Sequence, residues 1–398
     1  MNYLSDRVES LSMPQTLAMS NRSRELNEAG VDVINMSVGE PDFNTPDHIK
    51  EAAKRAIDEN YSRYTPIAGY DSLRKAIVKK LAVENGLSCT KDQVVVSTGA
   101  KQALCNVILS TINPGDEVII PTPAWVSYVE MVKLAGGKAV LVPSTIEEGF
   151  KITPEKLQAA FTPKTKMVLI CSPSNPTGAV YSREELQGIV DVLKTRPDIL
   201  VMSDEVYERI NFTGSYTSMG AFPEIADQVV LINGVSKTNA MTGWRIGYSV
   251  TPVNIAKAIT RLQGQYTSGA SSIAQKAAEA AYNGPQECVE EMRKAFERRR
   301  NLIVDLVRQI PGVKVNVPDG AFYLFPEVSA YIGKTTPEGK TIESSADIAM
   351  YLLEAGHVAT VDGGAFGMEG YIRLSYATSD ENLREAMRRI AATLATLK

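Results

Sequence analysis

Seven short apolar runs punctuate residues 93–250: 93–97 (QVVVS), 117–121 (EVIIP), 138–142 (KAVLV), 166–171 (KMVLIC), 199–203 (ILVMS), 229–233 (VVLIN) and 245–250 (RIGYSV). They are rich in β-branched residues and do not alternate strictly, the pattern of strands buried on both faces of a parallel sheet. Helical patterns separate many of them. Segment 45–59 opens with Thr45-Pro46, an N-cap followed by proline at the first helical position, and places Ile49, Ala52, Ala53, Ala56 and Ile57 on one face. Segment 182–194 opens with Ser182-x-x-Glu185, a capping box. Strands alternating with helices predict right-handed βαβ crossovers, hence an α/β fold whose mostly parallel sheet is sandwiched by helices.

From about residue 286 the texture changes. A charged helical stretch, QECVEEMRKAFERRRNLIVDLVRQI, ends at Pro311-Gly312. Short alternating segments (GAFYLF, YIRLSYA) follow, then a final amphipathic helix. The expected division is residues 1–45 as an N-terminal arm with part of a small domain, 46–285 as a large domain, and 286–398 as a smaller α+β domain.

Composition narrows the chemistry. Among 398 residues there are 42 Lys+Arg against 46 Asp+Glu, a formal net charge of −4, which argues against a general nucleic-acid binder. The triplet Arg298-Arg299-Arg300 sits in a mixed-charge helical stretch and reads as a solvated helix face. Cys89, Cys105, Cys171 and Cys288 are scattered and never form Cys-x-x-Cys, so neither a disulfide scaffold nor a zinc site is indicated. The start lacks a basic stretch followed by an apolar one, and no window approaches 18 apolar residues. The expectation is a cytoplasmic protein without membrane spans. There are only two histidines, His48 and His357, both read as surface or capping residues, so a Ser/His/Asp triad or a multi-histidine metal centre is not expected. Another residue type must move protons.

Local gaps in the charge pattern identify candidates. Between Asp227 and Lys257 only Lys237 and Arg245 are charged, and between Asp92 and Asp116 only Lys101 is. A cation in such a stretch must reach solvent, find a distant partner or serve an anionic ligand. Four apolar runs end directly in polar residues: Gly99-Ala100-Lys101, Ser174-Asn175-Pro176, Asp204-Glu205 with Tyr207, and Ser236-Lys237. In an open parallel sheet such ends share the edge where ligands bind. Ser97-Thr98-Gly99-Ala100-Lys101 reads as strand, tight turn and helix start, whose N–H groups favour an anion such as phosphate. No G-x-G-x-x-G follows a strand, Gly333-Lys334-Thr335 lacks the earlier glycine of a P-loop, and Gly234-Val235-Ser236 lacks the final glycine of a nucleophile elbow. A desolvated lysine beside an arginine becomes a neutral, nucleophilic amine. Lys237 alone would pass for a surface lysine and Asp204 alone for a helix cap. With a phosphate cradle they match pyridoxal phosphate, which needs an amine, a carboxylate and an anion site.

The segments GEPDF (39–43), SPSNPTGAVY (172–181), SDEVYE (203–208), GVSKTNAMTGWRIGY (234–248), GAFY (320–323) and RLSYA (373–377) occur in order along nearly the whole chain. Together they resemble the class I aminotransferases of pyridoxal-phosphate fold type I, and within them the bacterial aspartate aminotransferase subgroup. The resemblance implies that Lys237 is the Schiff-base lysine and that Asp204 pairs with the pyridinium nitrogen. It implies that Tyr207 and Asn175 bond the ring hydroxyl and that Trp125 stacks on the ring. Ser236, Arg245 and the Gly99-Ala100-Lys101 turn would hold the phosphate, with Tyr64 arriving from a second subunit of a homodimer. Arg373 would clamp the substrate α-carboxylate, which Gly39 would contact through its backbone. By pattern alone Arg373, alternating with Tyr371 and Ser375, serves equally as a solvent-facing strand arginine. Trp125 and Tyr64 would otherwise be ordinary core or interface aromatics.

In that subgroup a lysine placed like Lys101 helps recognise the distal carboxylate of acidic substrates, implying aspartate and 2-oxoglutarate in a ping-pong exchange with Lys237 as general base. Members that also use prephenate carry a lysine where Ser12 stands, which weighs against prephenate. The rival readings are a transaminase for aromatic or neutral amino acids and a fold type I C–S lyase. A cofactor-sensing regulator would need a DNA-binding module, for which residues before 30 leave no segment.

Overall fold

The computed structural model describes residues 3–12 and 15–398; Met1, Asn2, Met13 and Pro14 of the expected arm lie outside them. Each of the seven apolar runs is a strand: β1 (Val94–Thr98), β2 (Glu117–Thr122), β3 (Lys138–Pro143), β4 (Thr165–Cys171), β5 (Leu200–Asp204), β6 (Val229–Gly234) and β7 (Ile246–Val250). They form one sheet in the order β1-β7-β6-β5-β4-β2-β3. Only β7 runs antiparallel to its neighbours. Six strands therefore end on the same edge, and β7 begins there.

Both faces of the sheet are buried, which explains the unalternating runs. Val94, Val96, Ile119, Val168, Ile170, Val201 and Leu231 enter one apolar cluster with helices Asp47–Asp58, Asp71–Asn85, Arg183–Leu193 and Ser272–Asn283. The intervening Val95, Val118, Ile120, Met167, Leu169, Met202 and Val230 enter another with helices Gly99–Thr111, Ser127–Leu134 and Val253–Tyr266. The pleat sends alternate side chains to opposite layers.

The capping box holds: Ser182 Oγ accepts from Glu185 N at 3.2 Å, and Glu185 Oε2 accepts from Ser182 N at 2.7 Å. Three expectations are corrected. Thr45 does not cap the helix Asp47–Asp58, whose N-cap is Pro46; its hydroxyl donates to Ala240 O at 2.6 Å and accepts from Trp244 Nε1 at 3.1 Å. Ile57 is 58% exposed, because it follows Ala56 by one residue and lies about 100° round the helix from it. The triplet 298–300 is not a solvated face. Arg299 is buried on Asp42 and Asp380, and Arg300 donates to Pro318 O, so only Arg298 remains largely in solvent.

A third cluster joins helices Glu287–Val307, Ser345–Glu354 and Asp380–Leu394 to a small antiparallel sheet made by Val361–Asp362, Ile372–Ser375 and Tyr323–Leu324. The N-terminal segment reaches into it: Ile34–Asn35 pairs in parallel with Val358–Ala359, and Met36 is buried there. Among the described residues no helix is long and apolar enough to cross a membrane.

Candidate active site

A cavity of about 430 Å³ opens at the edge where β1, β4, β5 and β6 end and β7 begins. Lys101, Asn175, Asp204, Ser236 and Lys237 reach it from the strand ends, Arg245 from the residue before β7, and Arg373 from the small antiparallel sheet. The topology thus assembles residues as far apart in sequence as Ser37 and Arg373, 336 positions.

Lys237 stands partly buried, and its Nζ donates to Gly39 O at 2.5 Å. Burial lowers its pKa to about 8, with Arg245 and Arg373 adding to the effect while Glu40 and Asp204 oppose it. Asp204 is 4% exposed; burial raises its carboxyl to about 6, against the opposing pull of Tyr128, the Val206 amide and Lys237. Tyr128 OH donates to Asp204 Oδ2 at 2.7 Å, and Val206 N to Oδ1 at 3.3 Å. Of the carboxylates in the SDEVYE turn only Asp204 lines the cavity. Glu205 is held by Ser203, Ser218 and the Met219 amide, and Glu208 by Lys80.

Arg373 is 2% exposed, so the solvent-facing alternative fails. Its Nη1 donates to Asn175 Oδ1 at 3.0 Å and its Nη2 to Ser37 O at 2.5 Å, while Nε is buried with no partner among the described residues. Tyr323 and Phe366 present ring faces to the guanidinium at 4.6 and 5.1 Å. Tyr207 OH lies 2.9 Å from Tyr323 OH, and burial, then Tyr323, holds the Tyr207 phenol well above its ordinary range.

The opposite wall is an anion cradle. Thr98, the N-cap of helix Gly99–Thr111, makes no side-chain cap bond, so the first N–H groups stay open. Gly99 has φ +81, and a Cβ there would lie 2.4 Å from Arg245 Nη2; Gly247 lets β7 pass Ala100 N, which a Cβ would meet at 2.2 Å. Arg245 itself has φ +58, in the left-handed region. Ser236 is buried beside it. Lys101 Nζ sits 4.7 Å over the Trp125 ring, and burial, with Arg245, lowers its pKa.

Two expected residues do not line the cavity. Gly99 borders it by packing under Arg245, and Tyr64 is 98% exposed in a separate groove with Arg63 and Ser271. Sequence reasoning missed Tyr128, Tyr323, Ser37, Glu40 and Cys171, all of which line it. Tyr128 follows Trp125 by three residues across the start of helix Ser127–Leu134, and Tyr323 ends GAFY, so both carried a spacing or motif signal.

The architecture is that of the fold type I transferases, and the likeness to known proteins is specific. Residues 31–390 match the family described as aminotransferase class I and II. The chain is 49% identical over 399 residues to an aspartate/prephenate aminotransferase of Cereibacter sphaeroides, with 100% of both chains covered. The structure superposes on the aspartate aminotransferase of Rhizobium meliloti with TM-score 0.97 at 43% identity, covering 100% of both chains. It superposes on that of Thermus thermophilus with maleate with TM-score 0.92 at 41% identity, covering 99% of this chain and 100% of the other. The chain belongs to the class I and II aminotransferase family.

Proposed function

We propose that this enzyme transfers the amino group of L-aspartate to 2-oxoglutarate in a ping-pong exchange, with pyridoxal 5′-phosphate as cofactor. The observation that carries the reading is one cavity lined by an amine of lowered pKa, a buried carboxylate and two further cations, Arg373 and Lys101, that match the two carboxylates of the substrate. Relatives named aspartate aminotransferases and a neighbour crystallised with maleate, a dicarboxylate, support it.

The cavity fits the cofactor on its own terms. Uncapped helix N–H groups with Ser236 and Arg245 suit a phosphate, the buried Asp204 suits a ring nitrogen, and Trp125 offers a flat face. Bound there, the cofactor would supply an aldehyde to carry the amino group and a protonated ring that draws electrons from the substrate Cα. Asp204, with Tyr128 on one oxygen, would keep that ring nitrogen protonated, and Asn175 and Tyr207 would bond the ring hydroxyl. Tyr64 would reach the phosphate from a second subunit, consistent with its near-complete exposure. Arg373 would grip the α-carboxylate bidentately beside the Gly39 backbone, and Lys101 would meet the distal one. Lys237 Nζ, with a pKa near 8, has enough neutral amine at neutral pH to take the Cα proton. No histidine is needed. The same reading makes the enzyme a cytoplasmic homodimer, with an arm at 1–45, a large domain at 46–285 and a small domain at 286–398.

Borohydride reduction of the cofactor-loaded protein, followed by peptide mass mapping, tests the chemistry. Label on Lys237 is expected, and label elsewhere overturns it. A substrate panel tests the specificity, which fails if aspartate turns over no faster than alanine or phenylalanine. Prephenate is the second reading, favoured by the name of the Cereibacter relative. Ser12 stands where prephenate-using members of the subgroup carry a lysine, so prephenate is expected to be the poorer acceptor.

A further inference from the structure

The stretch 38–45 has no regular secondary structure, and among the described residues no backbone–backbone hydrogen bond ties it to the fold. Yet it and the adjoining Ser37 carry groups that touch both Lys237 and Arg373. Ser37 O accepts from Arg373, Gly39 O accepts from Lys237, and Glu40 lines the cavity. Side chains hold the stretch in place. Thr45 is bonded to Ala240 O and Trp244, Phe43 lies edge-on to Phe296 at 5.4 Å, and Asp42 takes a two-pronged bond from Arg299.

The Arg299 anchor is the strongest of these. Nη1 and Nη2 meet the two Asp42 oxygens at 2.7 and 2.8 Å, a paired geometry that fixes orientation as well as distance. The guanidinium also lies 5.1 Å from the Phe43 ring and 5.9 Å from the Phe296 ring. Arg299 is 7% exposed and belongs to helix Glu287–Val307, so the clamp ties the loop to the rigid core beneath the small sheet.

We propose that Arg299, through Asp42, is a positioning residue that sets where the Ser37 and Gly39 carbonyls meet Arg373 and Lys237. The proposal rests on reading Lys237 and Arg373 as the site's base and carboxylate clamp. Without the clamp the loop drifts, Lys237 loses an acceptor that favours its charged form, and Arg373 loses half of its preset orientation.

The charged groups that act most on Lys237 are Glu40 on the loop, Asp204 from the end of β5, Arg245 from the turn before β7, and Arg373 from the small sheet; Lys101 lines the same cavity from the helix after β1. Only Glu40 moves with the loop. Releasing it together with the Gly39 carbonyl therefore lowers the protonation midpoint of Lys237.

The test is acetylation of Lys237 by acetic anhydride at graded pH, read by mass spectrometry on the full cofactor-free chain. Asp42→Asn, Arg299→Met and Arg299→Lys are each expected to move the midpoint downward by about half a pH unit. A mere long-range field would move the first two in opposite directions, since one removes an anion and the other a cation. In the holoenzyme the KM for aspartate should rise about tenfold, with a smaller change in kcat. Unchanged or opposed midpoints in folded variants overturn the proposal. If Arg299→Met does not fold, Asp42→Asn carries the test, because that side chain is already 30% exposed. The midpoint is read without cofactor or substrate, so a wild-type chain that failed to transaminate aspartate would refute the functional reading separately.

Discussion

Asp204 and Glu208 leave the same strand end four residues apart, and both are buried, but their surroundings differ in kind. Glu208 is enclosed by partners: Lys80 donates to it, as do Asn85 Nδ2 at 2.7 Å and Asn233 Nδ2 at 2.8 Å. Burial pushes its carboxyl up, but Lys80 and Asn85 outweigh that and hold it below its ordinary value. Asp204 has one phenol and one long amide contact, and its pKa rises to about 6. Lys237 on the same edge falls to about 8, and Arg373 keeps a buried Nε with no partner among the described residues. A structural ion pair completes its own compensation. The cavity's charges are left short of it, which is the condition for binding and proton transfer.

The largest effect that separates the two regions concerns turnover. Lys237→Met should lower kcat by about 10⁴-fold or more, since it removes both the nucleophilic amine and the base. Lys80→Met removes a more deeply buried amine and should leave kcat per folded molecule within a few-fold. Pre-steady-state kinetics on both variants, corrected for active-site content, would refute the division if Lys80→Met proved the more damaging.

Stability should invert that order. Lys80→Met leaves Glu208 charged and unpaired, a loss of about 3–5 kcal/mol. The double variant Lys80→Met/Glu208→Leu should recover most of it in urea unfolding, because both charges go together. Non-recovery would mean that packing, not charge, dominates there.

Lys237→Met should instead stabilise the cofactor-free chain at pH 7. Its folded pKa of about 8 lies below the ordinary 10.5, so the charged amine is penalised on folding. The penalty is complete below pH 8, shrinks as pH climbs toward 10.5 and is absent above it. Solvent reaches part of this amine, so the gain is about 1–2 kcal/mol rather than the full shift. A melting curve with no gain at pH 7, or with the same gain at pH 11, would contradict the comparison.

Much of this contrast was legible in the sequence. The seven strand positions follow from apolar runs that fell within one residue of the observed strands, because burial on both faces leaves so plain a pattern. Lys101, Lys237 and Arg245 stood out because their neighbours carry no charge. Arg299 did not, because its partner Asp42 is 257 residues away and a mixed-charge helix looks solvated from sequence. Ile57 was misplaced for a related reason: an apolar residue at the border of a helical stripe is buried only if a neighbour covers that flank. Tyr128 and Tyr323 each carried a spacing or motif signal, but nothing in the sequence marked where their hydroxyls would point.

Tyr128 gives the smallest and most discriminating test. It is 1% exposed and its hydroxyl donates to Asp204, a bond that favours the ionised carboxylate. Tyr128→Phe keeps the ring and its edge-on packing 5.4 Å from Trp125 but deletes that donor. The Asp204 pKa, already raised from 3.8 to about 6, should rise further. The resulting loss, about 1–2 kcal/mol, is then complete only where Asp204 is ionised in both folds, near pH 8 and above. It fades as pH falls through 6, where both proteins hold the acid neutral. Thermal melts of the cofactor-free chains at pH 8 and pH 5 should therefore differ at the first and nearly coincide at the second. An equal deficit at both would make Tyr128 a packing residue, and Asp204 would then owe its ionisation to the Val206 amide and Lys237 alone.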